Sequence, residues 1–408
     1  MNILENDVAE IVNWIASFGG LENGGTTRLL YSDEWLQAQN QLKQRMQQFG
    51  METYFDDIGN LFGRIPGSKY AEQVIMSGSH VDTVINGGRL DGQLGIVGAF
   101  LAIKYLYETY GKPLRTLEVV SFAEEEGSRF PYSFWGSKNV LGMANPDDVK
   151  NIQDKAGINF VDAMTHCGFK FNTKPARSDI KAFVELHIEQ GGVLEREQKS
   201  IGVVTSIVGQ RRYNIRLSGQ ANHAGTTPMS YRKDAVYCFS RICQESINKA
   251  VKMGDPLVLT FGSVIPKPNV VNVVPGEVLF SMDCRHTDAK TLISFTKEIE
   301  QDMQRIAAEM GLAIDINLWM DEAPIPMDKA LTKMLEKQCQ EEGLSYKVMH
   351  SGAGHDSQIF APKIPTAMIF VPSIDGISHN PAENTHLADL TEGVKALAYA
   401  LYQLAYKE

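Results

Sequence analysis

The 408-residue sequence sets 39 Lys+Arg against 49 Asp+Glu, for a net charge of −10 and a pI near 5.5. That balance argues against nucleic acid as a partner, because phosphate binding needs a basic face. No apolar run reaches the roughly 18 residues of a membrane span, and MNILENDVAEIVNW has no basic segment followed by an apolar core, so no secretory signal is expected. Hydrophobic residues make up 43% and charged residues 22%, ordinary globular material with room for two or three domains. The five cysteines are irregularly spaced and read as free thiols in a reducing, cytoplasmic setting.

Taken in chain order, Ser32 precedes Asp33, Glu34 and an amphipathic run that ends before Gly50. Cap, acidic first turn and closing glycine predict one helix. NLFGRI and VIMSGS read as strands, QLGIVGAFLAIKYLYETYG as a buried helix, and TLEVVSFA and AFVEL as further buried strands. This β–α alternation implies a mostly parallel sheet with helices around it. RYNIRLSG then alternates as a strand, followed by a helix over about 233–252, the strands LVLTFGSV and EVLFSMDC, a helix over about 289–310 and the strand AIDINLWM. That order is βαββαβ, the ferredoxin-like unit. It predicts a smaller α+β domain at 212–320, with DEAPIPMD as exit linker, inserted in an α/β domain made of 1–211 and 321–408. The parallel style returns with YKVMH, TAMIFVPS and a last helix over about 387–406.

Three of the nine histidines stand at or shortly after strand ends: His80 after VIMSGS, His187 after AFVEL, and His379 past TAMIFVPS. EEEG (124–127) ends TLEVVSFA. Ligands gather beyond the carboxyl ends of strands in an open α/β sheet. In SGSHVDTVINGGRLDG, Asp82 can orient a metal-bound His80, and Asp91 is a hard oxygen donor able to bridge two ions. Glu124, Glu125 and Glu126 would repel one another without cations; one can ligate and a neighbour can accept a proton. Such a His/Asp/Glu set suits zinc or manganese and the activation of water by metal with a glutamate base. HIE at 187–189 has the shape of a zinc-deaminase motif but lacks its P-C-x-x-C partner. No G-x-S-x-G elbow, P-loop or G-x-G-x-x-G fingerprint occurs.

SGSHVDTVINGGRLDG, AEEEGSRFP, ELHIEQG, ANHAGTTPM, NVVPG, DCRH, SGAGHDSQ and GISHNPAE together resemble the di-metal amidohydrolases related to aminoacylases. The likeness is strongest to the carbamoyl-amidohydrolases of the hydantoinase/carbamoylase, metallopeptidase-like family, and it runs over nearly the whole chain. GQRRY, FWGSKN and HNPAE point to the ureide-cleaving members. The resemblance implies His80, Asp91, Glu126, His187 and His379 as ligands of two divalent ions (Mn or Zn), with Asp91 bridging. It implies Glu125 as general base, Asp82 behind His80, and His223 as donor to the oxyanion. Gln190, Asn272, Arg285 and His355 would hold the substrate, with Arg212 a weaker candidate. The resemblance also implies a catalytic role for the larger domain and a lid or dimerisation role for the insert. In the family the equivalent of His223 comes from the smaller domain, often that of the partner subunit, so a homodimer through the inserted domain is expected. The implied reaction is hydrolysis of a ureido group, with allantoate the expected substrate and ammonia, carbon dioxide and an amine as products. N-carbamoyl-L-amino acids or N-carbamoyl-β-alanine are the alternative substrates. An aminoacylase or exopeptidase is less favoured, as is an inactive binding relative, given the complete ligand set and Glu125. His166, His286, His350 and His386 read as structural or exposed, Asp356 and Asn380 as loop supports, and Phe134 and Trp135 as core.

Overall fold

In the computed structural model, which describes every residue except Asn2 and Thr173, the helix after Ser32 runs Asp33–Phe49. Ser32 Oγ accepts from Trp35 N, and Gly50 closes the helix at φ 96°. Helix Glu5–Ala16 precedes it, and Gln93–Tyr110 and Leu387–Ala405 pack on each other and on the sheet.

The sheet has nine strands. Its path runs Glu52–Phe55, Leu61–Ile65, Arg115–Phe122, Tyr70–His80, Ile180–Ile188, Thr366–Val371, Ile201–Ile207 and Ile325–Pro326, with Tyr346–Ser351 pairing to Ile201–Ile207. The four central strands, Arg115–Phe122, Tyr70–His80, Ile180–Ile188 and Thr366–Val371, are mutually parallel. Parallel strands covered on both faces are apolar without alternation, and every residue of Thr366–Val371 is buried. Each Val, Leu or Ile so buried contributes about 1.5–3 kcal/mol over exposure. The outer strands at both sides pair antiparallel.

The chain divides into two compact units, Met1–Thr205 with Pro326–Glu408, and Ser206–Ile325. These divisions fall five or six residues outside the 212–320 expected from sequence. The second unit holds a five-stranded antiparallel sheet, in which Glu277–His286 lies between Val264–Lys267 and Gly209–Ser218, and Ala313–Glu322 forms the far edge. Tyr213, Ile215 and Leu217 share a buried core with Phe280 and Met282 of the neighbouring strand and with residues of helices Ala235–Met253 and Ala289–Glu309. The single strand expected over LVLTFGSV is two, Val258–Thr260 and Val264–Lys267. Thr260 pairs with Asp283 and Val264 with Phe280, four steps against three, so one extra residue bulges the strand between them. No helix among the described residues is long and apolar enough to cross a membrane.

Candidate metal centre

Four parallel strands ending at one edge bring their terminal residues together. His80 closes Tyr70–His80, Glu124–Glu126 follow Arg115–Phe122, His187 is the penultimate residue of Ile180–Ile188, and His379 lies on the segment after Thr366–Val371. Asp91 stands among them with its two oxygens divided. Oδ1 faces His187 Nε2 at 3.2 Å and His80 Nε2 at 3.7 Å; Oδ2 faces His379 Nε2 at 3.1 Å, which in turn lies 3.4 Å from Glu126 Oε1. Three overlapping triads result, His80/Asp91/His187, Asp91/Glu126/His379 and His80/Glu125/Glu126, each with its donor atoms within 4.8 Å of one another.

Both strand histidines are turned by oxygens on their far nitrogen. His80 Nδ1 lies 3.1 Å from the Asp82 carbonyl and 3.3 Å from its carboxylate, and His187 Nδ1 lies 3.0 Å from Ile188 O. The proton therefore belongs on Nδ1 and leaves Nε2 for a cation. Asp82 also accepts from Glu125 N at 3.0 Å and Glu126 N at 3.2 Å, so one carboxylate ties the first ligand to the glutamate turn. Glu124 faces away from the donor atoms and accepts from Gly127 N and Trp135 N. Glu185 shares the His187 side of the strand, but Ser79 Oγ and Ser357 N and Oγ saturate its carboxylate. It therefore braces the site although it lies within ligand range of His187 and His355. Glu189, the other flank of His187, caps the turn at Val193 and Leu194.

The Asp91 loop is wound about a carboxylate that the sequence reading did not single out. Glu383 is 2% exposed and accepts from Leu90 N at 2.9 Å, Asp91 N at 3.1 Å and Ser378 Oγ at 2.8 Å. A Cβ at Gly88 would lie 2.0 Å from that carboxylate, and one at Gly92, where φ is +68°, would lie 2.4 Å from the His80 ring. Neither position admits a side chain. Gln190, held at φ +58°, donates from Nε2 to Asp91 Oδ2 at 2.8 Å. His355 is buried with its ring 4.5 Å from that of His187 and its Nε2 on Ser351 Oγ at 2.8 Å.

The electrostatics fit a cation. Burial alone would lower His80 and His187, yet Asp82 and Asp91 carry them above the usual histidine range. His379 is raised to about 10 by its contacts with Asp91 and Glu126. Burial raises Glu125 well above the usual carboxylate range, with Glu126 and Asp356 adding to it, and burial also raises Glu126. Asp91, despite its burial, is held well below that range by His187 and His379. Imidazole nitrogens and carboxylate oxygens are borderline-to-hard donors. A divalent ion would neutralise carboxylates that desolvation and mutual repulsion otherwise push toward protonation. The set offers the donor atoms that a divalent ion takes.

The remaining expected residues lie on the second unit and form two separate groups. His223 and Asn272 are neighbours: the strand pair Asn222–His223 and Val273–Val274 joins them, and Ala224 N donates to Asn272 O at 3.0 Å. His223 is exposed, and its Nδ1 accepts from Gly225 N and Thr226 N at 3.0 and 3.2 Å, so the neutral ring carries its proton on Nε2. Arg285 and Arg212 meet elsewhere, both on Asp283. Arg285 sits eight residues beyond Glu277 along one strand, roughly 27 Å at the strand rise, while Asn272 precedes Glu277. Arg285 and Asn272 therefore lie toward opposite ends of that strand. His166 and His386 are exposed, His286 is buried and accepts from Asp288 N, and His350 is half-buried on Tyr346–Ser351. Trp135 is wholly buried in the core, and Phe134 is half-buried at φ +64°. Asn380 turns its loop by accepting from Glu383 N and Ala382 N, and Asp356 is buried next to His355.

Comparison with known proteins gives a consistent picture. A sequence model of peptidase family M20/M25/M40 matches residues 76–403. Allantoate amidohydrolase of Escherichia coli (strain K12) is 62% identical over 403 residues, 98% of each chain. Allantoate amidohydrolase of Bacillus subtilis (strain 168) is 45% identical over 99% of this chain and 98% of that one. Among solved structures, an amidase of the hydantoinase/carbamoylase family from Burkholderia multivorans superposes with a TM-score of 0.93 at 31% identity, over 98% of this chain and 97% of that one.

Proposed function

The chain belongs to peptidase family M20/M25/M40, and on that premise we propose that it hydrolyses one ureido group of allantoate, leaving its inner nitrogen as an amine. One water is consumed, and ureidoglycine, ammonia and carbon dioxide are formed. The chain is a hydrolase of C–N bonds, and the substrate reading rests on the two relatives that are 62% and 45% identical. The reaction reading is carried by the divided carboxylate of Asp91. His80 and His187 share Oδ1, and His379, with Glu126 beside it, takes Oδ2. We assign two divalent ions, manganese or zinc, to these two donor groups. Bound there, they supply Lewis acidity toward the ureido carbonyl and lower the pKa of water.

The chain's own residues do the rest. Glu125, raised by burial, takes a proton from the attacking water and returns it to the leaving nitrogen. His223, with its proton on Nε2, donates to the developing oxyanion, a contribution of roughly 3–4 kcal/mol. The Arg285 fork meets the substrate carboxylate, with Arg212 sharing Asp283 beside it. Gln190, Asn272 and His355 hydrogen-bond the polar remainder. Because His223 and Asn272 lie a strand's length from Arg285, we infer a homodimer through the inserted unit, in which His223 and Asn272 of one subunit complete the site of the other. Met229 and Tyr231, 75% and 77% exposed close to His223 in the chain, are the apolar surface such a contact would cover. Five free cysteines, four of them buried, accord with a reducing cytoplasm.

The test is ammonia release by the metal-loaded protein from allantoate, N-carbamoyl-L-amino acids and N-carbamoyl-β-alanine. An apolar side chain in place of the second ureido group leaves buried donors and acceptors unmet, at about 1–3 kcal/mol. Allantoate should therefore be preferred by at least about tenfold in kcat/KM. Faster turnover of an N-carbamoyl amino acid would replace the substrate and leave the metal centre standing.

A further inference from the structure

Arg28 lies outside the family-matched segment, which begins at residue 76, yet it holds the stretch of chain that follows His80. Its side chain is 0% exposed. Nε donates to Val81 O at 2.6 Å, and Nη1 donates to Ile15 O at 3.0 Å and Phe18 O at 2.6 Å. The main chain is fastened as well: Arg28 N donates to Thr83 Oγ1 at 2.8 Å, and Thr83 N donates to Arg28 O at 3.0 Å. The stretch held in this way, Val81–Thr83, follows His80 and contains Asp82. Burial pulls the guanidinium down to about 10, and the charge of Asp82 opposes that pull.

Asp82, which stands between the two held residues Val81 and Thr83, is buried, with His80 Nδ1, Glu125 N and Glu126 N all on its carboxylate. We propose that Arg28 is a positioning residue for the metal centre: it clamps the backbone on both sides of Asp82. One metal ligand, His80, and the turn bearing Glu125 and Glu126 are thereby held in register. The N-terminal helix is thus tied to the site through one side chain.

The inference rests on the metal-centre reading above. Its test uses the full chain and the metals themselves, Mn²⁺ and Zn²⁺, by competition with a chromogenic chelator, beside thermal melts of the chelated protein. Arg28→Met should weaken metal binding about tenfold or more, the range for residues behind a ligand. Arg28→Lys keeps the charge but cannot span both Val81 and the helix carbonyls, so its affinity should fall between Arg28→Met and wild type. Ile15→Ala, a buried change on the same helix, should lower the melting temperature and leave metal affinity unchanged. Should Arg28→Met not fold, Arg28→Lys decides by the same comparison. Wild-type affinity in the Arg28 variants overturns the inference. So does an equal loss in Ile15→Ala, which would make the effect one of general stability. Wild-type protein that binds neither metal would overturn the metal-centre reading itself and this inference with it.

Discussion

Glu124, Glu125 and Glu126 are chemically alike, and the turn of the backbone gives them three surroundings. Glu124 accepts from Gly127 N and Trp135 N and closes its own loop. Glu126 faces His379. Glu125 lies within ligand range of His80 and Glu126 with its N–H fixed on Asp82. Glu125→Gln keeps the shape and that N–H but cannot accept a proton. It should keep the wild-type metal content, measured by elemental analysis, and lose at least about 100-fold in kcat; near-normal turnover would remove Glu125 as base. The pH response of metal-free protein follows from the same shifts. His80, His187 and His379 are raised, the last to about 10, and Glu124, Glu125 and Glu126 are raised by burial. In every case the folded chain binds the proton more tightly than the unfolded one. Their contribution is present in full below the unfolded values, near 4.3 for the glutamates and 6.5 for the histidines, and is lost as pH rises through the folded ones. Asp91 and His355 have the opposite sign, but the window of Asp91 lies below ordinary carboxylate pH and that of His355 closes near its unfolded value of about 6.5. The melting temperature of chelated protein should fall between pH 6 and 9, and divalent metal should flatten that slope by taking the place of the protons. A melting temperature that is level or rising over that range in the chelated protein would contradict the assignment.

At the scale of the element, the metal centre is a set of loops held by carboxylates on backbone N–H groups. Glu383 fixes Leu90 and Asp91, and it enters the loop only because Gly88 has no side chain. Gly88→Ala should displace that carboxylate and weaken metal binding about tenfold. Glu383→Gln keeps one oxygen for the two N–H groups and should cost less. Equal affinity in Gly88→Ala and wild type, by chelator competition, would show that the loop does not depend on this contact. Legibility in the sequence follows the same division. His80 and His187 can be placed from sequence because each ends an apolar run, and parallel strand ends share an edge. Glu383 and Arg28 cannot, since their partners are backbone groups 293 and 53 residues away that leave no side-chain pattern. The linker reading of DEAPIPMD hides a cap for the same local reason: Asp328 accepts from Ala330 N and Leu331 N and opens helix Lys329–Glu341. The bulge between Val258–Thr260 and Val264–Lys267 is a matter of register between strands, which the pattern along one strand does not carry.

For the molecule as a whole, the question is whether one chain makes a complete site. Within the unit Ser206–Ile325, His223 and Asn272 lie together before Glu277, and Arg285 and Arg212 meet on Asp283 near the other end of the strand Glu277–His286. A substrate of a dozen or so heavy atoms cannot span roughly 27 Å of strand, so the two groups cannot both touch one molecule of allantoate from a single subunit. A two-fold pair removes the difficulty, because an isologous contact presents each subunit's His223 group to the other. Purified His223→Ala protein and purified Glu125→Gln protein should each be nearly inactive, the first by about 10²–10³-fold as an oxyanion donor is lost. Mixed and exchanged, they form heterodimers in which one of the two sites keeps both Glu125 and an intact His223. Statistical exchange makes half of the dimers mixed, so about a quarter of wild-type turnover should return. Recovery should track the heterodimer fraction measured by native mass spectrometry. If verified heterodimers show no recovery, His223 serves its own subunit, and Arg285 is then not a contact of the same substrate.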